Sequence, residues 1–334
     1  MVSGVRWRRR IAAMGIVAAM PVAGVANAEP AAGGGTNSAV AHVDRIENVT
    51  DRDVVMHVYS AAMDRVVRLD VIRPADTSSP PRPVLYLLNG GAGGGEDAAT
   101  WQQQTDVREF FADKDVNVVI PVGGAYSYYT DWQQDDPVLG RQRWTTFLTE
   151  ELPPVLDEAL GTSGRNAIAG MSMSGGSALA LAAEAPDLYR AVAAYSGCAQ
   201  TSSEPGQNYV ELVVHLGGGD VENMWGPVGG PEWAERDVTL HAEKLRGKAL
   251  YISSGGGGLP GPHEFSAAPD PVDYAVLGTI EAAVSQCNER LRTTLDGLGI
   301  EATYDLRPDG THSWGYWQDA LHDSWPVMAE AIGA

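Results

Sequence analysis

Apolar and polar residues alternate along Ala41 to Val49, Val54 to Ala61 and Val66 to Ile72, the two-residue period of strands with one buried face. Three such runs in succession predict antiparallel pairing. A Pro- and Ser-rich turn, Thr77 to Pro83, ends the pattern. Beyond it, short and wholly apolar runs alternate with helix-length segments. The apolar runs are Val84 to Leu88, Val116 to Pro121, Asn166 to Ala169, Ala191 to Tyr195, Ala249 to Ser253 and Glu301 to Arg307. The helical pattern is clearest over Arg143 to Leu160, Ser172 to Glu184, Trp233 to Leu245 and Tyr274 to Leu298. Alternation of this kind predicts an α/β fold: a mostly parallel, doubly wound sheet with helices on both faces and antiparallel N-terminal strands. In such sheets the functional residues follow the carboxyl ends of the strands.

One strand-to-helix corner carries recognisable chemistry. Gly170-Met171-Ser172-Met173-Ser174-Gly175 joins the run ending at Ala169 to an Ala- and Leu-rich helix. A serine there projects its Oγ out of the sheet, and the following backbone N–H is free to bind an oxyanion. The motif is G-x-S-x-S-G rather than the full G-x-S-x-G, so a plain turn is the competing reading. A nucleophile corner in mid-chain after antiparallel strands points to an α/β-hydrolase. After Leu88 comes Asn89-Gly90-Gly91-Ala92-Gly93-Gly94-Gly95, whose glycines let backbone N–H groups turn toward developing charge. The N–H groups of Gly91 and Met173 are the expected oxyanion donors. A bare surface loop is the alternative; a dinucleotide loop lacks the G-x-G-x-x-G fingerprint. After the last strand, Gly310-Thr311-His312-Ser313-Trp314 supplies a histidine where this fold places its general base. His263 competes with it, while His42, His57, His215, His241 and His322 have weaker claims. Asp270, Asp273 and Glu281 all follow the strand Ala249 to Ser253, and spacing alone leaves the acid open among them.

Residues 1–28 stand apart from this pattern. Arg6, Arg8, Arg9 and Arg10 precede a short apolar stretch and the Ala26-Asn27-Ala28 site, which together read as a signal peptide. The alternative is an uncleaved N-terminal anchor. The Gly- and Ala-rich lead-in 29–39 follows, then one domain over 40–334. Export implies a secreted, extracellular or cell-wall location. Four of the 23 Lys and Arg lie in the leader, so the remainder carries 19 basic against 43 acidic side chains, a formal −24. That charge repels nucleic acid and disfavours it as a partner. Two cysteines in an oxidising compartment predict a Cys198–Cys287 disulfide, closing a loop of about 90 residues and worth up to about 4 kcal/mol. No metal or other cofactor is called for, and a monomer is expected.

The order of several short segments resembles the antigen 85 mycolyltransferases of mycobacteria and their corynebacterial corynomycolyltransferase relatives. The resemblance runs through Leu87-Leu88-Asn89-Gly90, Pro121-Val122-Gly123-Gly124, Asp131-Trp132, Thr146-Phe147-Leu148-Thr149 and Glu151-Leu152-Pro153. It continues through Gly170-Met171-Ser172-Met173, Met224-Trp225-Gly226-Pro227, Gly310-Thr311-His312-Ser313-Trp314 and Tyr316-Trp317. It implies a secreted serine acyltransferase with a Ser-Glu-His triad, a mycoloyl glycolipid donor and a carbohydrate acceptor. Ser172 and His312 fall on the family's nucleophile and base. Glu281, seven residues before Asn288, falls on its acid. Trp314, Trp317 and Trp225 would line the sugar or lipid groove, and Asn89 would meet substrate. Asn89 and Ala92 stand where mycobacterial members carry the Asp and Arg that contact the sugar, a departure that bears on the acceptor more than on acyl chemistry. A secreted carboxylesterase and a non-catalytic glycolipid-binding protein are the rival functions.

Overall fold

The computed structural model describes residues 40–334 except 78–80, 96 and 268–269, and nothing of the side chains of 266 and 267. The signal segment 1–28 and the lead-in 29–39 lie outside the described residues.

Nine strands form one sheet in the order β1-β2-β3-β5-β4-β6-β7-β8-β9 among the described residues. The strands β1 (His42–Asn48), β2 (Asp53–Ser60) and β3 (Arg65–Ile72) pair antiparallel, and β3 pairs antiparallel with β5 (Asn117–Val122). From there the pairing is parallel through β4 (Val84–Leu88), β6 (Asn166–Met171), β7 (Tyr189–Tyr195), β8 (Ala249–Ser254) and β9 (Thr303–Leu306). The change follows the side chains. β2 alternates buried and half-buried positions, whereas β4 and β6 are buried throughout, as strands covered on both faces must be.

Two separate apolar clusters flank the sheet. The helices are α1 (Trp101–Gln104), α2 (Val107–Phe110), α3 (Trp144–Thr146), α4 (Leu152–Leu160), α5 (Met173–Glu184) and α6 (Glu204–Leu216). They continue with α7 (Val221–Trp225), α8 (Pro231–Glu235), α9 (Pro262–Ala267), α10 (Pro271–Leu298) and α11 (Trp314–Ile332). α5 packs against β6 and β7, whereas α11 covers β7 and β8 from the face that carries Tyr195, Trp317 and Trp325.

Two expected helices are interrupted. The segment from Arg143 to Leu160 holds α3, a π-helical turn Phe147–Glu151 and α4. Pro153 and Pro154 at the start of α4 cannot donate backward, so the regular ladder breaks just before them. The segment from Trp233 to Leu245 is only α8 and a 3₁₀ turn, Ala242–Leu245. Buried Asp237 lies between them. Its carboxylate accepts from the Thr239 N–H at 2.9 Å and from the Ser202 N–H and hydroxyl at 2.9 and 2.6 Å. A side chain that captures nearby backbone donors in this way ends a helix.

Candidate active site

Ser172 sits between β6 and α5 with φ 55° and ψ −125°, a conformation few non-glycine residues adopt. Strain of this kind persists only where the surroundings over-determine it. Here the Ser172 N–H donates to the Tyr195 carbonyl at 2.9 Å, and its own carbonyl accepts from Gly175 N–H at 3.0 Å. The corner is also too tight for side chains on either side. A Cβ on Gly170 would stand 2.4 Å from the Ser174 carbonyl oxygen, and one on Gly175 would stand 2.8 Å from Gly197 Cα. Ser174 is fully buried, with its Oγ 3.0 Å from both the N–H and the carbonyl of Met171. It stitches the corner together, whereas Ser172 is half-exposed and open to a reactant.

His312 reaches Ser172 from the loop between β9 and α11, its Nε2 2.7 Å from Ser172 Oγ. Its Nδ1 lies 2.7 Å from Glu281 Oε2. The carboxylate accepts, so Nδ1 carries the proton and Nε2 is left as the acceptor for the serine hydroxyl. Glu281 is 0% and His312 7% exposed, which keeps water from competing for these bonds. The second Glu281 oxygen, Oε1, accepts from Ser196 Oγ at 2.7 Å and from Gly255 N–H at 2.5 Å. Trp317 stands edge-on to the imidazole, ring centroids 5.0 Å apart, and Trp314 stands edge-on to Trp317 at 5.2 Å.

The three acids left open by spacing have separate places. The Asp270 side chain caps α10 by accepting from Val272 N–H, and Asp273 is exposed. Glu281 lies on the stripe Gly278, Glu281, Val284, Asn288, Leu291 and Leu295 that α10 buries. His263, the competing base, is 2.7 Å from Asp319 through its Nε2 and edge-on to Tyr316.

The expected oxyanion donors, Met173 and Gly91, each follow a strand. Met173 is the first residue of α5, where backbone N–H groups have no intrahelical acceptor. Gly91 follows β4, one residue after Gly90, on which a Cβ would stand 3.7 Å from Ser172 Cβ. Asn89 and Trp225, both expected to meet substrate, are buried. Asn89 is 1% exposed; its Nδ2 donates to the Pro121 carbonyl at 3.1 Å, and it packs under Gly94. It braces the glycine loop from beneath. Trp225 is 4% exposed, edge-on to Trp233 at 5.4 Å, and lines a partly open apolar cavity with Tyr128, Ser177, Leu181 and Ala199. Burial turns Asn89 away from the open groove, whereas Trp225 faces the apolar cavity. Trp314 is half-exposed and packs edge-on against Trp101. Cys198 and Cys287 are bonded, with Cα atoms 5.3 Å apart.

Tyr209 of α6 is absent from the residues expected at the site. Its phenol lies within electrostatic reach of Ser172 and Glu281. Burial pushes that phenol up to about 12, Ser172 opposing the rise and Glu281 adding to it. Ser196 was likewise missed. A Ser203-Glu204-Pro205 helix start marks α6, but nothing local says which of its faces meets the serine.

Comparison with known proteins fits this geometry. The family model described as "Putative esterase" matches residues 60–327. Diacylglycerol acyltransferase/mycolyltransferase Ag85B of Mycobacterium avium is 32% identical over 289 residues, covering 84% of this chain and 83% of that one. This chain belongs to the esterase family of α/β-hydrolases that includes the antigen 85 mycolyltransferases. Diacylglycerol acyltransferase/mycolyltransferase Ag85A of Mycobacterium leprae is 32% identical over 263 residues, 75% of this chain and 76% of that one. The crystal structure of Mycobacterium tuberculosis MPT51 (FbpC1) superposes with a TM-score of 0.68 at 25% identity, covering 82% of this chain and 96% of that one. An S-formylglutathione hydrolase of Agrobacterium tumefaciens, with a TM-score of 0.62 at 17% identity over 87% of this chain and 100% of that one, shares the fold. Among the described residues no cluster of His, Cys, Asp and Glu is arranged to hold a metal ion, and no helix is long and apolar enough to cross a membrane.

Proposed function

We propose that this member of the esterase family is an exported serine acyltransferase whose domain, 40–334, moves mycoloyl groups from trehalose monomycolate to a trehalose glycolipid or to cell-wall arabinogalactan. The hydrogen-bonded chain Ser172–His312–Glu281 carries the reading. His312 takes the Ser172 proton as Oγ attacks the donor ester and passes it to the departing sugar hydroxyl. Glu281 holds the imidazole tautomer and steadies the positive charge that forms on it. The Gly91 and Met173 N–H groups receive the oxyanion. The acceptor hydroxyl then gives its proton to His312, attacks the acyl-enzyme and releases Ser172. Apolar surface for the acyl chain lies near at hand, since the cavity lined by Gly176, Ser177, Tyr128 and Leu181 begins one turn along α5 from the serine.

Purified protein given trehalose monomycolate should form an acyl adduct at Ser172 and yield trehalose dimycolate, both read by mass spectrometry. Full activity in Ser172→Ala would overturn the assignment. One observation favours a second reading, a secreted carboxylesterase that passes the acyl group to water. Asn89 is turned inward and Ala92 offers no side-chain hydrogen bond, so this side of the site lacks a charged hold on a sugar. Free acid as the sole product in the presence of excess trehalose would select that reading.

A further inference from the structure

The loop that carries Gly91 is clasped by a strained segment just after β5. Within the loop, Gly93 N–H donates to the Gly90 carbonyl at 3.0 Å. A trans peptide points its carbonyl and its N–H in opposite directions, so this bond turns the Gly91 N–H out of the loop. From the segment after β5, Gly123 N–H donates to the Gly93 carbonyl at 2.8 Å and Tyr126 N–H to the Gly91 carbonyl at 2.7 Å. Tyr126, Tyr128 and Tyr129 hold φ at 57°, 56° and 47°, a left-handed conformation that bulky residues rarely adopt. Their surroundings impose it. Ser127 Oγ donates to the Gly124 carbonyl at 2.7 Å and accepts from Tyr129 N–H at 3.1 Å, and Trp132 Nε1 donates to the Ser127 carbonyl at 3.0 Å. The same segment reaches the residue of the second oxyanion donor, since Tyr128 N–H lies 3.4 Å from Met173 Sδ. The half-exposed Tyr126 ring is wedged between two glycines. A Cβ on Gly91 would stand 3.9 Å from its Cε1, and one on Gly217, at the end of α6, would stand 2.5 Å from its Cγ and Cδ2.

We propose that Tyr126 is a positioning residue of the oxyanion hole, holding the Gly91 N–H where the carbonyl oxygen of the reacting ester becomes negative. The proposal rests on the acyl-Ser172 reading above, with Gly91 as a donor. The glycines that free this N–H also leave its loop without side chains to pin it. Glycine loses more freedom on ordering than any other residue, so a bare loop needs a clasp from outside. Tyr126 supplies two holds on Gly91, its N–H on the carbonyl and its ring against the Cα. When Ser172 attacks, the Oγ–carbonyl bond forms, the carbonyl π pair moves onto oxygen, and the Oγ proton passes to His312. The pair returns to carbon as the leaving oxygen departs with that proton. The Gly91 N–H is needed most while the pair sits on oxygen, so a displaced Gly91 slows the chemistry without weakening substrate binding. Tyr126 acts through Gly91 rather than on the substrate.

Turnover of p-nitrophenyl butyrate and of its thionoester, in which C=S replaces the carbonyl, isolates this step. Sulfur accepts hydrogen bonds poorly, so a damaged oxyanion hole slows the oxygen ester and spares the thionoester. Tyr126→Ala should lower kcat for the oxygen ester roughly tenfold, less than the loss of a whole oxyanion donor, with KM within about twofold. Its thionoester turnover should stay within about twofold of wild type. Tyr126→Phe, which keeps the ring, should match wild type on both esters. Gly217 has φ −82°, which alanine adopts freely, so Gly217→Ala acts only by pushing the Tyr126 ring aside. It should reproduce the Tyr126→Ala pattern, and it carries the test by itself if Tyr126→Ala does not fold. In the Tyr126→Ala background it should change nothing further. Equal slowing of both esters, as mispacking of the triad would produce, overturns the proposal. So do additive losses from the two alanine variants, or a Tyr126→Phe enzyme as slow as Tyr126→Ala. Wild-type protein that turns over neither ester brings down the acyl-Ser172 reading and Tyr126 with it. Wild-type turnover beside unaltered alanine variants brings down Tyr126 alone.

Discussion

Ser196 donates its hydroxyl, at 2.7 Å, to the Glu281 oxygen that His312 does not use. The serine is held for this at φ 46°, its N–H fixed to the Ser253 carbonyl at 2.8 Å. A buried carboxylate with too few donors is costly and free to rotate, so Ser196 and the Gly255 N–H together fix which oxygen faces the imidazole. Ser196→Ala removes one charge-assisted bond, and kcat/KM for ester turnover should fall by about tenfold, the kinetic equivalent of about 1.4 kcal/mol. Glu281→Gln should cost far more, at least about a hundredfold, because an amide no longer secures the His312 tautomer. Steady-state kinetics with matched melting curves check both. Ser196→Ala at wild-type kcat/KM would show that Gly255 suffices.

The parts of this site legible in the sequence are those set by local pattern. The strand alternation, the Gly170–Ser172 corner and His312 after the last strand all sit within a few residues of their structural signals. Glu281 had such a signal too, a carboxylate in a mostly apolar helical stripe from Gly278 to Leu295, but linear spacing alone ranked it equal with Asp270 and Asp273. Ser196 follows β7, an interior strand, and its meeting with Glu281 depends on how α10 packs over the sheet. No short window of residues encodes that. Asn89 and Trp225 show the converse. Position in a motif suggested contact with substrate, but not that Asn89 packs beneath Gly94 or that Trp225 stands against Trp233.

The two serines of the corner have opposite roles. Ser172→Ala should abolish labelling by a fluorophosphonate probe, because only its oxygen lies beside His312. Ser174→Ala should still be labelled. It leaves the buried Met171 N–H without its side-chain acceptor, which should lower unfolding free energy by about 1–3 kcal/mol. Gel fluorescence of both variants, with chemical denaturation of the second, decides. Loss of labelling in Ser174→Ala while the fold is intact would reassign the nucleophile.

Glu264 sets the His312 loop and gives it an acid limit. Burial alone would raise this carboxyl, but the hydroxyls of Thr311 and Tyr316 and the N–H of Gly261 outweigh it and hold it below the ordinary value of 4.5. Thr311, the residue before His312, also donates its N–H to Glu264 at 3.2 Å. A folded-state value below the unfolded one means the stabilisation is whole above the unfolded value and is lost as pH falls through the folded one. Wild-type melting temperature should therefore drop below about pH 4.5 more steeply than that of Glu264→Gln, whose amide does not titrate. At neutral pH, Glu264→Ala should lose about 2–3 kcal/mol, with kcat falling as the His312 loop loosens. Parallel melting curves of wild type and Glu264→Gln at low pH would contradict the assignment.

The disulfide joins stability to activity. Cys198 and Cys287 are 89 residues apart in sequence, so the bond removes much of the unfolded chain's freedom, about 4 kcal/mol in the loop-entropy model. For a domain of this size that corresponds to a melting-temperature shift on the order of 10 °C. The bond also links the loop leading into α6 with α10, six residues beyond Glu281. Loosening it should let α10 and with it Glu281 drift, slowing turnover at temperatures where the fold is still intact. The paired variant Cys198→Ser with Cys287→Ser should therefore melt about 10 °C lower, and its kcat at 25 °C should already be reduced. Calorimetry and kinetics on the same preparation separate the two effects. A lower melting temperature with kcat unchanged would leave the bond a purely thermodynamic role, with α10 and α6 positioned by packing alone.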